Sequence, residues 1–451
     1  MRYLSPERKL DGHSPLPFRV LHFKAILMLN SNNQWFRSRG YQHFDAPVKL
    51  RKASKIVSSP ENVSKHAFLP LISYSIESFK VHPNEDGKIV KKPKSRPVSY
   101  ASHIDSHIYS YYAEKLSQLY ERDLASLSLN DSVLAFRALK KSNIDFANDA
   151  FEKIKEHGNC TAIAMDISGF FDNLDHDILK SMWSKVLKVE RLPSDHFNIF
   201  RSLTKYSTVK RDELFDKLKI SKNNPRKAGL RLCNIKTFRD VVRSSDLIKT
   251  NKSGKGIPQG TSISALLSNI YMLDFDSKIK NIVTSMDGNY YRYCDDMLFI
   301  IDSDKRETLV NIVKENIAAL KIDINGDKTE IRKFSIAHGI QKSDKPLQYL
   351  GFIFDGERKL IRSAALARFS GRMKAGVRLA KKTHSKANLI EEEKGISKTP
   401  LFKKKLYERY SHLSRRNFIT YGHMAAKKMN SKAIKKQLKP LWGRLVREMD
   451  E

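Results

Sequence analysis

Cysteine is scarce: Cys160, Cys233 and Cys294 are the only three in 451 residues, and they stand far apart. They give neither a disulfide framework nor a zinc-ligand spacing, so a stapled secreted domain is excluded and a reducing cytoplasm is expected. Long apolar runs are also missing. No stretch approaches the roughly 20 apolar residues of a membrane span. The best run near the N-terminus, Val20 to Leu29, is short and carries His22 and Lys24, so it is read neither as an anchor nor as a leader. The third shortage is acidic residues. Asp+Glu number 49 against 83 Lys+Arg, a net charge of +34.

A pI near 9.9 on a chain that is 40% hydrophobic points to a folded protein with a polyanionic partner, most simply nucleic acid. Wholesale disorder is excluded by that apolar fraction. At 51.9 kDa, two or three packed subdomains are expected. The charge is uneven. Residues 361–451 hold 24 Lys+Arg and 7 Asp+Glu, a net of +17, so about a fifth of the chain carries half of the excess. A second basic cluster, Lys91, Lys92, Lys94 and Arg96, surrounds Pro93.

Helix spacing of Ile104, Ile108, Tyr111, Tyr112 and Leu116 predicts a helix over 104–124. The run Ala162 to Met165 predicts a buried strand ending in Asp166. Residues 181–250 are long and basic, with a loop at 223–229, and read as an insertion. A glycine-rich turn at 254–260 precedes a helix that Ser262 can cap. Tyr290–Tyr293 and Met297–Ile301 predict a hairpin with Cys294, Asp295 and Asp296 at its tip. A helix over 305–320 follows. Asp355-Gly356 marks another hairpin, and 363–449 read as helical and basic.

Asp166, Asp295 and Asp296 are carboxylates at the ends of apolar strands. Such groups repel and lose hydration unless a cation neutralises them. An oxygen-only donor set suits Mg²⁺, held by one or two carboxylates and substrate phosphates. Two such ions roughly 3.5–4 Å apart would activate a hydroxyl and stabilise a leaving pyrophosphate. An Asp-Asp pair alone is more often a solvated turn.

Tyr293-Cys294-Asp295-Asp296 resembles the active-site box of reverse transcriptases. The string Ala164-Met165-Asp166-Ile167-Ser168-Gly169-Phe170-Phe171-Asp172 is similar to their first aspartate motif, and Gly256-Ile257-Pro258-Gln259-Gly260 to the motif beneath template and incoming nucleotide. Asn325-Gly326-Asp327-Lys328-Thr329 resembles their lysine motif, and Leu347-Gln348-Tyr349-Leu350-Gly351-Phe352 their primer-grip hairpin. All five stand in the family's order. The resemblance implies an α+β right-hand polymerase fold with fingers, palm and helical thumb: an N-terminal extension and start of fingers over 1–90, fingers and palm over 91–362, and a basic helical thumb over 363–451.

It also implies roles. Asp166, Asp295, Asp296 and the Ile167 carbonyl would hold two Mg²⁺, with Mn²⁺ as a substitute. Lys328 would serve the leaving pyrophosphate as a proton donor or as a positive charge. Lys94, Arg96, Phe171 and Gln259 would bind the dNTP, Phe171 as the gate against a ribose 2′-OH. Arg137, Pro258, Gly260, Tyr349, Gly351, Lys403, Lys404, Lys405, Arg415 and Arg416 would meet nucleic acid. Cys294 reads as a small half-buried hairpin residue, and His176 as a cap or packing group of the next helix.

Val133-Leu134-Ala135-Phe136-Arg137, the stretch Ser102 to Tyr109 and the stretch Ser142 to Ala147 most resemble bacterial abortive-infection and defence-associated enzymes, type 2 of the latter, with type 3 as rival. That implies a cytoplasmic enzyme without a membrane, copying a structured non-coding RNA into cDNA from dNTPs. A template-independent DNA polymerase and a non-catalytic RNA-binding scaffold are the alternative expectations.

Overall fold

Two side chains fix the start of the long helix that begins at His103. Ser102 Oγ accepts from Asp105 N at 3.2 Å, while Asp45 takes the His103 and Ile104 N–H groups at 2.9 and 3.0 Å. Those N–H groups have no partner inside a helix, so a hydroxyl and a carboxylate there terminate it cleanly. The computed structural model describes residues 34–83, 89–225 and 229–451. The apolar run 20–29, residues 84–87 of a turn signal and residues 226–228 of the expected loop lie outside them.

In chain order the described elements are α1 Leu50–Val57, α2 Pro60–Ser64, β1 Leu71–Pro83, β2 Ile89–Tyr100, α3 His103–Ser126, α4 Asn143–His157, β3 Cys160–Asp166, α5 Phe170–Asn173, α6 His176–Leu187, α7 Ser194–Thr204, β4 Ser207–Lys210, α8 Arg211–Lys217, α9 Ile235–Thr237 and β5 Lys249–Thr250. Then follow α10 Ser264–Tyr271, α11 Leu273–Ser285, β6 Asn289–Tyr293, β7 Asp296–Ile301, α12 Arg306–Ala319, β8 Glu330–Ala337, β9 Ile340–Ser343, β10 Leu347–Tyr349, β11 Phe352–Phe354, β12 Lys359–Ile361, α13 Ser363–Glu392, α14 Lys404–Tyr410, α15 Phe418–Lys428 and α16 Lys432–Asp450. Helices and sheets are mixed, as an α+β polymerase fold requires.

The chain divides into two compact units. One takes residues up to Arg137 with Ile167–Ile279 and Val313–Ile324; the other takes Ala138–Asp166, Lys280–Ile312 and Asn325–Glu451. The first holds a sheet of order β2-β1-β4-β5. Its strand β4 lies parallel beside β1, Ile72 opposite Val209. Region 181–250 is therefore woven into this unit, which corrects its reading as an insertion. The β1–β2 ladder likewise crosses the expected boundary at residue 90.

The second unit holds the five-stranded sheet β6-β7-β3-β8-β9. The continuous apolar runs of β3 and β7 are buried on both faces, the pattern of central strands. The three-stranded sheet β10-β11-β12 belongs to the same unit, and its core joins Phe151, Phe334 and Phe354, with ring centroids at 4.9 and 5.7 Å. Helices α13–α16 continue that core. Gln437 of α16 receives the Ile361 N–H at 2.8 Å and donates to the Ile361 carbonyl at 3.0 Å, sealing β12. Asp355-Gly356 does sit in a hairpin loop, four residues long, with Asp355 Oδ1 accepting the Glu357 and Arg358 N–H groups.

In the first unit, residues 35–45 lie on the N-terminal half of α3. Phe36 stacks on His107 at 4.7 Å and Tyr41 on His103 at 5.2 Å. Burial, with His103 adding to it, holds the His43 imidazole down to about 3. A base whose folded pKa is lowered stays neutral in the fold while the unfolded chain takes the proton, so stability falls as pH drops below about 6.5. Each pH unit below that value costs about 1.4 kcal/mol for one such histidine. Urea unfolding of His43→Leu between pH 6 and pH 4 is expected to show a slope shallower by about that amount; an unaltered slope would mean that His43 is not held neutral.

Candidate active site

The five-stranded sheet brings two of the predicted aspartates face to face. In the antiparallel β3–β7 ladder, Asp166 is directly opposite Asp296. Directly paired residues project to the same face with Cβ atoms about 4.5–5.5 Å apart, and like charges there destabilise the sheet. Asp295 occupies the two-residue loop that the Tyr293–Asp296 pair closes. Cys294, at the first loop position, has φ +62°, a place where glycine is usual. Such a conformation costs on the order of 1–3 kcal/mol and collects at functional sites.

The electrostatics follow. Burial, then the charges of Asp295 and Asp166, push the Asp296 carboxyl up to about 7, with Lys328 and Arg362 pulling the other way. The Asp295 carboxyl is raised by burial and by Asp166. Lys328 Nζ forms an ion pair with Asp166 Oδ1. Asp166 also accepts the Asn325 N–H on its carbonyl at 2.7 Å, which holds the lysine loop to the end of β3. The Cys294 thiol is buried and raised well above its ordinary value, so it stays protonated. It is a buried packing residue, more enclosed than the half-buried position expected of it.

Among the described residues no three His, Cys, Asp or Glu side chains close on a single ion. Mg²⁺ needs no such cage, because one or two carboxylates plus substrate phosphates suffice. The all-oxygen set of Asp166 and Asp295/Asp296, short of positive charge, fits that mode.

Two arginines went unread in the sequence. Arg292 is fully buried, and its Nη1 donates to the Cys294 carbonyl at 3.1 Å, bracing the Cys294-Asp295 turn. Arg362, at the start of α13, adds positive charge toward Asp296 and Glu330. A lone arginine in an apolar strand, and one just beyond the last hairpin, were the available signals.

Other predicted residues lie in the first unit. Gln259 accepts the Ser99 N–H on its carbonyl at 2.8 Å, and its Nε2 donates to Asp172 Oδ1 at 3.3 Å. Gly260 has φ +111°, and a Cβ there would fall 2.4 Å from the Ser99 carbonyl, so the glycine is required by the end of β2. Pro258 is buried, its carbonyl accepting from Ser264 Oγ at 2.6 Å, which corrects its expected contact with nucleic acid. Of the phenylalanine pair, Phe170 is buried and Phe171 half-buried. Ile167 is buried and bridges to Ile324. Lys94 and Arg96, two apart on β2, share one face of the strand. Asp175 caps α6, while His176 Nε2 meets the Gly256 carbonyl at 2.8 Å. Ser262 does not cap α10: its Oγ receives the Ser110 hydroxyl at 2.9 Å.

Two more expectations are corrected. Tyr349 is 3% exposed and packs in the core of the second unit, so it cannot present itself to a primer. Its neighbours Leu350 and Gly351 both have positive φ, +46° and +92°, and make the tight β10–β11 turn. Arg137 is 2% exposed at its side chain. Its five donors go to Glu121, the Asn130 carbonyl and side chain, and the Val133 carbonyl, at 2.7–3.0 Å. Nothing is left to donate to a phosphate. In the second unit, Lys403 pairs with Asp450 at 2.8 Å, while Lys404, Lys405, Arg415 and Arg416 are exposed.

The family described as Reverse transcriptase (RNA-dependent DNA polymerase) matches residues 89–354, more than half of the chain. The chain belongs to the reverse transcriptase family. No curated protein sequence matches it. Similar solved structures include apo telomerase from Candida tropicalis truncated from its C-terminal domain, 12% identical with a TM-score of 0.38 over 64% of this chain. Apo telomerase from the same organism is 11% identical with a TM-score of 0.42 over 90% of this chain and 70% of that one. Telomerase from Candida albicans in complex with a TWJ fragment of telomeric RNA is 10% identical with a TM-score of 0.38 over 88% of this chain and 64% of that one. The chain spans 56% of the first of these.

Arg137 offers a clear check of the reassignment within this reverse transcriptase. Arg137→Ala is expected to lower stability by about 1–3 kcal/mol, the cost of buried carbonyls left unbonded, with RNA affinity unchanged. Urea unfolding and filter binding measure the two effects separately; a loss of affinity at full stability would return Arg137 to the binding surface.

Proposed function

We propose that this protein extends a primer 3′-OH, or a protein hydroxyl, with dNTPs on an RNA template. The observation that carries this reading is the direct pairing of Asp166 with Asp296 beside Asp295, within a chain whose residues 89–354 match the family. Asp166, Asp295 and Asp296, with the Ile167 carbonyl, would hold two Mg²⁺ or Mn²⁺; bound there, the metals supply a polarised hydroxyl nucleophile and charge for a leaving pyrophosphate.

The chain's own residues do the rest. Lys328, already paired with Asp166, places a positive charge where the pyrophosphate develops its own. Lys94 and Arg96 meet the triphosphate, for which a guanidinium suits two-point contact. Gln259, held to Asp172, contacts the sugar or base of the dNTP. Phe171, five residues past Asp166 and the less buried of its pair, stands against a 2′-OH. Gly260 and the turn at Gly351 bring backbone toward nucleic acid. Helices α13–α16 form a thumb whose Lys404, Lys405, Arg415 and Arg416, with Lys403 at the edge, hold phosphates.

The partner is a structured non-coding RNA, copied into cDNA. The residues 102–109 and 142–147 support a bacterial defence-associated enzyme of type 2, with type 3 second. The setting is the bacterial cytoplasm. Among the described residues no helix is long and apolar enough to cross a membrane.

The test is dNTP incorporation on a primed RNA template with Mg²⁺. Asp295→Ala with Asp296→Ala is expected to abolish it while the protein stays folded, since two repelling buried charges are removed. Incorporation at the unaltered rate would sink the assignment, and incorporation without any RNA would replace it by untemplated synthesis. In the same assay Phe171→Ala is expected to raise rNTP use relative to dNTP; no rise would move the gate to another residue.

A further inference from the structure

The thumb contains a cavity of about 370 Å³ that the proposed polymerase chemistry does not use. Its wall on α16 is built by Lys435, Lys439 and Trp442, spaced by four and three residues and so on one helix face. His412, in the loop after α14, and His423 of α15 complete the polar rim. The volume lies within the range of small-ligand pockets, at its lower end.

Two features define the occupant. The first is an aromatic surface left in solvent: Trp442 is 40% exposed, although Tyr407 stacks on it at 5.6 Å and the His412 ring lies 5.1 Å away. The second is charge. No carboxylate lines the cavity. Elsewhere in this unit Lys374, Lys403 and Lys428 are committed to Glu448, Asp450 and Asp145. Lys435 and Lys439 form no ion pair among the described residues. An aromatic plane beside two ammonium groups fits a flat ring that carries an anion.

We infer that this cavity holds one unpaired nucleotide of an RNA strand, its base against Trp442 and its phosphate at Lys435 and Lys439. A duplex presents phosphates but keeps its bases stacked on one another, so the aromatic wall selects single-stranded or bulged RNA. The inference rests on the reading that helices α13–α16 hold nucleic acid. It adds a specificity that charge alone does not have, because a phosphate track does not distinguish paired from unpaired RNA.

The protein's three tryptophans make the test direct. Trp183 is fully buried and Trp35 is 7% exposed, so Trp442 is the reporter of the three. The full-length protein is titrated with a uridine 12-mer and, separately, with a blunt 12-bp RNA duplex, following intrinsic tryptophan fluorescence and anisotropy. The 12-mer is expected to quench emission, and the duplex to bind without quenching. Trp442→Leu should remove the quench and weaken 12-mer binding about ten-fold, leaving duplex affinity as it was. Lys439→Gln, an exposed change that leaves packing intact, should lower the salt slope for the 12-mer by roughly 0.7. No quench at saturation, equal quenching by the duplex, or an unchanged slope in Lys439→Gln would each overturn the inference. The readout needs no catalysis, so a protein that is quenched but incorporates no dNTP would refute the polymerase reading alone.

Discussion

Mutual repulsion among Asp166, Asp295 and Asp296 is the constraint around which the second unit is arranged. The ladder between β3 and β7 forces the first and last of these onto one face, and the tight turn at Cys294 presents the middle one beside them. Burial first, and the charges of Asp295 and Asp166 after it, raise the Asp296 carboxyl to about 7. A solvated loop would let these groups spread apart. Here two strands buried on both faces hold them. The surrounding cations are graded: Lys328 touches Asp166, Arg362 acts on Asp296 from the start of the thumb, and Arg292 is spent on the turn's own carbonyl. That leaves the cluster undercompensated, the state in which a divalent cation gains most from binding.

The positive charge of the chain is likewise divided into groups that are spent and groups that are available. Arg137 and Lys359 are buried and bonded, the latter to Glu152 and to Asn148 at 2.6 Å. They serve the fold. The available charge concentrates on α13–α16, where α13 buries only Phe369, Met373 and Val377, a single stripe at four-residue spacing. A long helix with so narrow a buried stripe leaves most of its basic surface exposed.

The strands that carry the aspartates were legible because an apolar run ending in a carboxylate has few other readings; β3, β6 and β7 begin and end close to where those runs do. The helices α3 and α12 and the helical C-terminal part followed from periodicity in the same way. What stayed hidden depends on contacts distant in sequence. Arg137 reads as a free cation until Glu121 and Asn130 are brought to it. Gly260 reads only as a contact for nucleic acid until the Ser99 carbonyl shows that the end of β2 requires a glycine as well. Region 181–250 reads as an addition because the four-residue strand β4, which ties it to β1, is too short to announce itself. Tyr349 sits in a motif that suggests contact with a primer, yet alternation along β10 turns it inward.

The central claim, that the carboxylate cluster is short of positive charge and is completed by a divalent cation, is tested most directly by thermal unfolding at constant ionic strength with and without MgCl₂. Binding to the folded state alone stabilises it by RT ln(1 + [Mg²⁺]/Kd). The account predicts that Mg²⁺ raises the Tm of the unaltered protein. It predicts that Asp295→Ala with Asp296→Ala starts at a higher Tm without metal and gains nothing from it. Equal responses of the two proteins to Mg²⁺, or a lower starting Tm for the double variant, would contradict it.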